Sequence, residues 1–193
     1  KKTVDLSAVQ RDVLTSLFNS QLPKVDNSQF FVNFEAMGEN DAPIVITQNE
    51  YMRRMKEMAA LQPGMNFYGE MPDSYSLIVN TENPIVKKIS VAADGALAAK
   101  VKPMMDEVNA NNAKISSIRD AKKEGSLTDE DNKEIDALQE ANNKLRDEQS
   151  HVVAEYASSQ PVVGQLIDLA LLGNGMLRGE QLSKFIDRSL SLL

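Results

Sequence analysis

Pro161-Val-Val-Gly-Gln-Leu-Ile-Asp-Leu-Ala-Leu-Leu-Gly-Asn-Gly-Met-Leu-Arg-Gly-Glu-Gln-Leu-Ser-Lys-Phe-Ile-Asp-Arg-Ser-Leu-Ser-Leu-Leu193 is the stretch on which the fold turns. Pro161 suits the first position of a helix. Val162, Val163, Leu166, Ile167, Leu169, Ala170, Leu171 and Leu172 leave that helix almost no polar face, the pattern of a buried helix. Gly173-Asn174-Gly175 supplies residues that accept positive φ where it ends. A second helix is predicted from about Gly179, with Leu182, Phe185, Ile186, Leu190 and Leu193 on one face and Lys184, Asp187, Arg188 and Ser191 on the other. Burying each large apolar group contributes about 1.5–3 kcal/mol, so two such helices at one end of a chain predict a partner. The simplest closed arrangement is a homodimer in which two helices from each copy form a four-helix bundle. Leu166, Ile167, Ala170, Leu171, Leu182, Phe185, Ile186, Ser189, Leu190 and Leu193 are the residues expected at that interface.

Upstream, from about Ala96 to Ala157, the composition shifts to Asn, Lys, Asp, Glu and Ala. Val101, Met105, Val108, Ile115 and Ile118 form one narrow apolar seam, and Ile135, Leu138, Leu145 and Val152 form another. Gly125 lies between the two arms, and Thr128 with Asp131 can cap the second. An antiparallel helical hairpin that pairs Ile118 with Ile135 also sets Val108 against Leu145 and Val101 against Val152. The same register brings Asn111 or Asn112 opposite Asn142, and polar residues at matched levels of an apolar seam fix register at some cost in stability. Residues 96–157 therefore read as a coiled-coil insertion within one domain spanning residues 1–193.

The first half of the chain reads as a small α+β layer. Ser7 and Gln10 make a capping box, and Leu6, Val9, Val13, Leu14, Leu17 and Phe18 recur around and after it at helical spacing. Phe30 to Phe34, Ile44 to Ile46 and Tyr75 to Val79 read as three strands. Thr47 with Glu50 reads as a second capping box, with Ile46 as a hydrophobic staple on Tyr51, opening a helix from about Gln48 to Leu61 that Pro63-Gly64 stops. Asn83-Pro84 reads as N-cap and first helical residue of another.

The chain has 193 residues, 42% of them hydrophobic and 25% charged, which marks a globular protein with room for one core. Its formal charge of -7 and the absence of a basic stripe argue against nucleic acid as a partner. The absence of Cys removes disulfides, thiolate metal sites and Cys nucleophiles, and fits a reducing, cytoplasmic setting. No stretch is apolar enough for a membrane-spanning helix. The opening Lys1-Lys2-Thr3 lacks an initiator Met, so the chain is expected to be a piece of a longer protein.

Motifs for catalysis, cofactors or metals fail on inspection. Gly173-Asn174-Gly175 with Gly179 misses the dinucleotide fingerprint by one place and follows a helix instead of a strand. Asp129 and Asp131 open like a calcium loop, but Lys133 occupies the next ligand position and no Gly follows. His151 stands alone beside the second seam, and no Gly-x-Ser-x-Gly elbow occurs. Six of the nine Met, at positions 37, 52, 55, 58, 65 and 71, fall before the third strand. Met52, Met55 and Met58 share part of one helix face. Such a stripe reads either as core or as an adaptable apolar surface, since unbranched polarisable side chains repack against many partners. Composition does not decide between these.

Three segments in order carry a family resemblance: Pro43-Ile-Val-Ile-Thr-Gln-Asn-Glu-Tyr-Met-Arg-Arg-Met-Lys-Glu-Met, Leu77-Ile-Val-Asn-Thr-Glu-Asn-Pro-Ile-Val, and Asp168 through Leu193. Together, over residues 1 to about 92 and 159 to 193, the chain resembles the C-terminal domain of bacterial heat-shock protein 90 chaperones of the high-temperature protein G type. The resemblance implies a homodimerisation domain with the four-helix contact described above. It also implies that Tyr51, Met52, Met55, Met58 and Leu61 face the cleft between protomers and touch non-native client proteins. The family's ATP and magnesium site lies in another domain, so this portion is expected to have no cofactor and no catalytic residue. The family often has His where this chain has Asn83, which still caps a helix, and the segment from 96 to 157 exceeds its shorter members. The acidic tail of cytosolic eukaryotic relatives is missing, which favours a bacterial type. Two other readings compete: a structural coiled-coil adaptor or scaffold, motivated by the seams, and an enzyme fragment, supported only by abundant carboxylates and one His.

Overall fold

The computed structural model describes residues 2–62, 64, 69–122 and 125–193. Pro63 and Met65, singled out in the sequence, and Lys1 lie outside them. The fold is α+β, with six helices among the described residues and one three-stranded mixed sheet. The elements in order are α1 (Ala8–Ser20), β1 (Ser28–Glu35), β2 (Ile44–Gln48), α2 (Glu50–Leu61), β3 (Asp73–Asn80), α3 (Pro84–Asp120), α4 (Asp129–Ser158), α5 (Pro161–Gly173) and α6 (Gly179–Ser191).

Local chemistry explains most of these boundaries. Ser7 and Gln10 close a reciprocal capping box on α1, and Thr128 and Asp131 close one on α4. The Asn83 side chain accepts the Ile85 amide while Pro84 occupies the first turn of α3, where its missing N–H is no loss. At α2 the cap is Asn49, whose side chain accepts the Met52 amide; Thr47 instead lies within β2. Strand pairing to β3 holds Thr47 extended, so the predicted capping box does not form. Ile46 is buried and Tyr51 exposed, so neither serves as the expected staple.

β3 is the central strand, parallel to β1 and antiparallel to β2, with Leu77 and Val79 fully buried. Phe30 and Tyr75 are register partners, and their rings stack at 5.4 Å. At the end of β3, Asn80 is buried and fully engaged. Its Nδ2 donates to the Gly38 carbonyl at 2.8 Å, and its Oδ1 accepts from the Met37 and Glu82 amides. Asn83 Nδ2 donates to the Asp41 carbonyl at 2.9 Å. Two amides thus tie the loop between β1 and β2 to the start of α3.

The core gathers Leu14, Leu17 and Phe18 of α1, the inner faces of β2 and β3, Ile167 and Leu171 of α5, and a stripe along α3. That stripe runs Val86, Ile89, Ala93, Leu97 and Val101 without interruption. The compositional change near Ala96 is therefore no element boundary; it marks where one 37-residue helix leaves the core for solvent. Pro103 sits inside this helix and removes one amide donor from its ladder. α3 and α4 lie against each other, and α1 lies against both. At mid-length Asn111 Nδ2 donates to Asn142 Oδ1 and Asn142 Nδ2 donates to Asn112 Oδ1, each at 2.9 Å, with Ile115 and Ile135 buried beside them.

Candidate functional site

α5 divides its apolar surface. Val163, Leu166, Ile167 and Leu171 enter the core, whereas Val162, Leu169 and Leu172 are exposed. The helix expected to be buried all round is thus buried on one side only. Its end is set by a pair of crossing hydrogen bonds, Met176 N–H to the Leu171 carbonyl and Gly175 N–H to the Leu172 carbonyl, around a Gly175 with φ 66°.

α6 leans on α5 and buries none of its residues. Leu182 and Phe185 rest half-buried against the core, while Ile186 is 46% exposed and Leu190 63% exposed. Leu192 and Leu193 beyond it are exposed as well. The expected interface residues thus separate within one chain: Leu166, Ile167 and Leu171 are interior, Ala170, Leu182, Phe185 and Ser189 intermediate, and Ile186, Leu190 and Leu193 outward. Sequence reading placed Val162, Leu169 and Leu172 on an apolar helix without telling which side of it faced out.

Polar groups fasten the two helices. The Arg188 guanidinium pairs with Asp168, and Gln165 Nε2 donates to Ser189 Oγ at 2.7 Å. Burial pushes the Asp168 carboxyl up from its ordinary value, against the opposing pull of Arg188. Gly164 permits this approach: a Cβ there would stand 3.2 Å from Gln21 Oε1 and 3.7 Å from Arg188 Nη1. Arg188 Nε and Gln165 Oε1 are buried without a hydrogen-bond partner among the described residues. Beside them lies an apolar cleft of about 230 Å³, lined in part by Val162, Leu166 and Leu192.

The second group of expected site residues lies on α2. Only Ala59 of this helix is buried. Tyr51, Met58 and Leu61 are exposed at 68%, 48% and 82%, and Met52 and Met55 are intermediate. Lys56 Nζ reaches Asp73 at 2.9 Å and ties α2 to the start of β3. Arg53 with Glu57, and Arg54 with Glu50, form pairs one helical turn apart on the solvent side. The Met stripe is therefore not core. Among the described residues no cluster of metal-ligating side chains occurs, and no helix is long and apolar enough to cross a membrane.

The chain is similar along its whole length to chaperone proteins named HtpG. Identity is 41% over 196 aligned residues with that of Bacteroides thetaiotaomicron, 39% with that of Bacteroides fragilis, and 40% with that of Porphyromonas gingivalis. The alignments cover 98–100% of this chain, the α3 and α4 arms included, but only 28–29% of each relative. The chain thus spans less than a third of those proteins, their C-terminal part. No family model matches it, and no solved structure matches it.

Proposed function

Since the chain belongs to the HtpG chaperones of the heat-shock protein 90 family, as a C-terminal portion, we propose that it joins two copies of the chaperone and offers a surface to non-native client proteins. The observation that carries the first half is the outward apolar face of α5 and α6, formed by Val162, Leu169, Leu172, Ile186 and Leu190. Surface leucines scattered singly need no explanation, but five large apolar groups exposed on two adjoining helices favour an interaction site. A second copy covers it most simply, because a two-fold contact is self-complementary. Sedimentation of the chain across a concentration series tests this. A dimer at tens of micromolar is expected; a monomer there would overturn the reading.

The second half rests on α2. Met58, Tyr51 and Leu61 are large, exposed and adaptable, as binding to many unfolded sequences requires. Changing Met52, Met55 and Met58 to Ser should reduce suppression of a heated enzyme's aggregation while the dimer persists. Undiminished suppression would remove α2 from client contact. In this reading the portion is cytoplasmic and holds no nucleotide, and ATP and magnesium act elsewhere in the complete protein. Residues 96–157 would act as an arm attached to the dimerisation domain.

A further inference from the structure

The α3 and α4 arms carry a groove that neither dimerisation nor the α2 surface uses. Two adjoining clefts, of about 360 and 410 Å³, share Asn112 and Arg146 and follow one another along the arms. Along α3 the wall includes Met105, Val108, Asn112 and Arg119, a span of about 21 Å at 1.5 Å per residue. Along α4 it includes Gln139, Asn143 and Arg146. Its chemistry is graded. The end beside α1 offers the half-buried Met105 and Val108. The middle, where the clefts meet, offers side-chain amides and the Arg146 guanidinium, and the far end offers the Arg119 guanidinium.

Those two arginines differ from the others. Arg53 and Arg54 pair with Glu57 and Glu50, and Arg188 with Asp168. Arg178 donates to the Gly175 carbonyl, and Arg11 stands 6.0 Å over the Phe34 ring. Arg119 and Arg146 alone have no such partner among the described residues, in a chain whose formal charge is -7. Among the described residues the only carboxylate lining the groove is Asp12, already bonded to Gln149. Amides match the donors and acceptors of an extended peptide backbone, and free guanidiniums match carboxylates.

We propose that this groove binds an extended acidic peptide segment of another protein. Its carboxylates lie against Arg146 and Arg119 and an apolar side chain lies near Met105. The length suits about six extended residues at roughly 3.3 Å each. Nucleic acid fits poorly, because two cations among amides do not track a phosphate backbone.

The probe is a labelled eight-residue peptide with one Leu followed by three Asp, in both chain directions, against its Lys counterpart. Binding is read by fluorescence anisotropy on the whole chain. One direction of the acidic peptide should bind, the Lys peptide should not, and added salt should weaken the complex. Arg119→Glu and Arg146→Glu should each weaken binding about tenfold or more. Neither arginine has a side-chain partner among the described residues, so circular dichroism and sedimentation should be unchanged. No binding of either acidic peptide at about 1 mM, equal binding of the Lys peptide, or equal binding by both variants would overturn the proposal. So would a loss of self-association in the variants, which would assign the groove to a second copy.

Discussion

The α3–α4 arms and the α5–α6 pair use the same aliphatic residues to different ends. In the arms, Ile115 and Ile135 are covered by the opposite helix, and Asn111, Asn112 and Asn142 bond to one another across the seam. In the C-terminal pair, Ile186 and Leu190 stay in solvent, and Arg188 Nε and Gln165 Oε1 are buried without partners among the described residues. Apolar content alone would have ranked α5 and α6 as the more buried pair. The side chains separate the two cases: in the arms the amides are paired and the isoleucines covered within the chain, whereas on α5 and α6 large apolar groups remain outside.

The sharpest way to break this contrast is to charge the uncovered face. Ile186→Asp with Leu190→Asp removes two groups worth about 1.5–3 kcal/mol each when buried. Dimer affinity should fall at least about a hundredfold, read by sedimentation, while the monomer's far-ultraviolet dichroism is retained because neither residue is interior. The arms should respond in the opposite sense. Asn142→Leu leaves Asn111 Nδ2 and Asn112 Oδ1 without their partner and should destabilise the chain by about 1–3 kcal/mol in denaturant unfolding, with dimer affinity unchanged.

Much of the comparison was legible in the residues themselves. The Asn111–Asn142 level follows from pairing the two seams, and the capping boxes at Ser7 and Thr128 and the Asn83-Pro84 start follow from local chemistry. What escaped was decided at long range. Thr47 has the right spacing for a cap, yet pairing with β3 claims it. The parallel match of β1 to β3 depends on a crossover through β2 and α2, which no local pattern encodes. The Ala96 shift suggested a boundary because composition reports exposure, whereas α3 continues through it on one apolar stripe. Which side of α5 faces the sheet was hidden because both sides are apolar.

Smaller effects refine the contrast through pH. Burial raises the Asp168 carboxyl above its ordinary 3.8, so the folded chain holds that proton more tightly than the unfolded one. The associated stability is present in acid and declines as pH rises from about 3.8 through the raised folded value. Asp168→Asn should flatten this part of the stability–pH profile in thermal unfolding. Asp131 runs the other way: a hydrogen bond from Lys122, then bonds from Thr128, lower it to about 2. Its contribution is complete above about 3.8 and disappears as pH falls toward 2. Asp131→Ala should be the mildest change, seen as faster amide exchange in the first turn of α4 with little shift in the melting midpoint.

The continuous α3 stripe has a mechanical consequence. Val101 and Val153 belong to the core, so both arms are rooted where α1 also presses on them, and about 28 Å of α3 extends from Val101 to Asp120 at 1.5 Å per residue. A body held at one end and projecting over that length is a lever. One degree of rotation at its root moves the far end by about 0.5 Å over such a helical length. A load on the far end in turn applies torque to α1 and to the layer that supports the C-terminal helices.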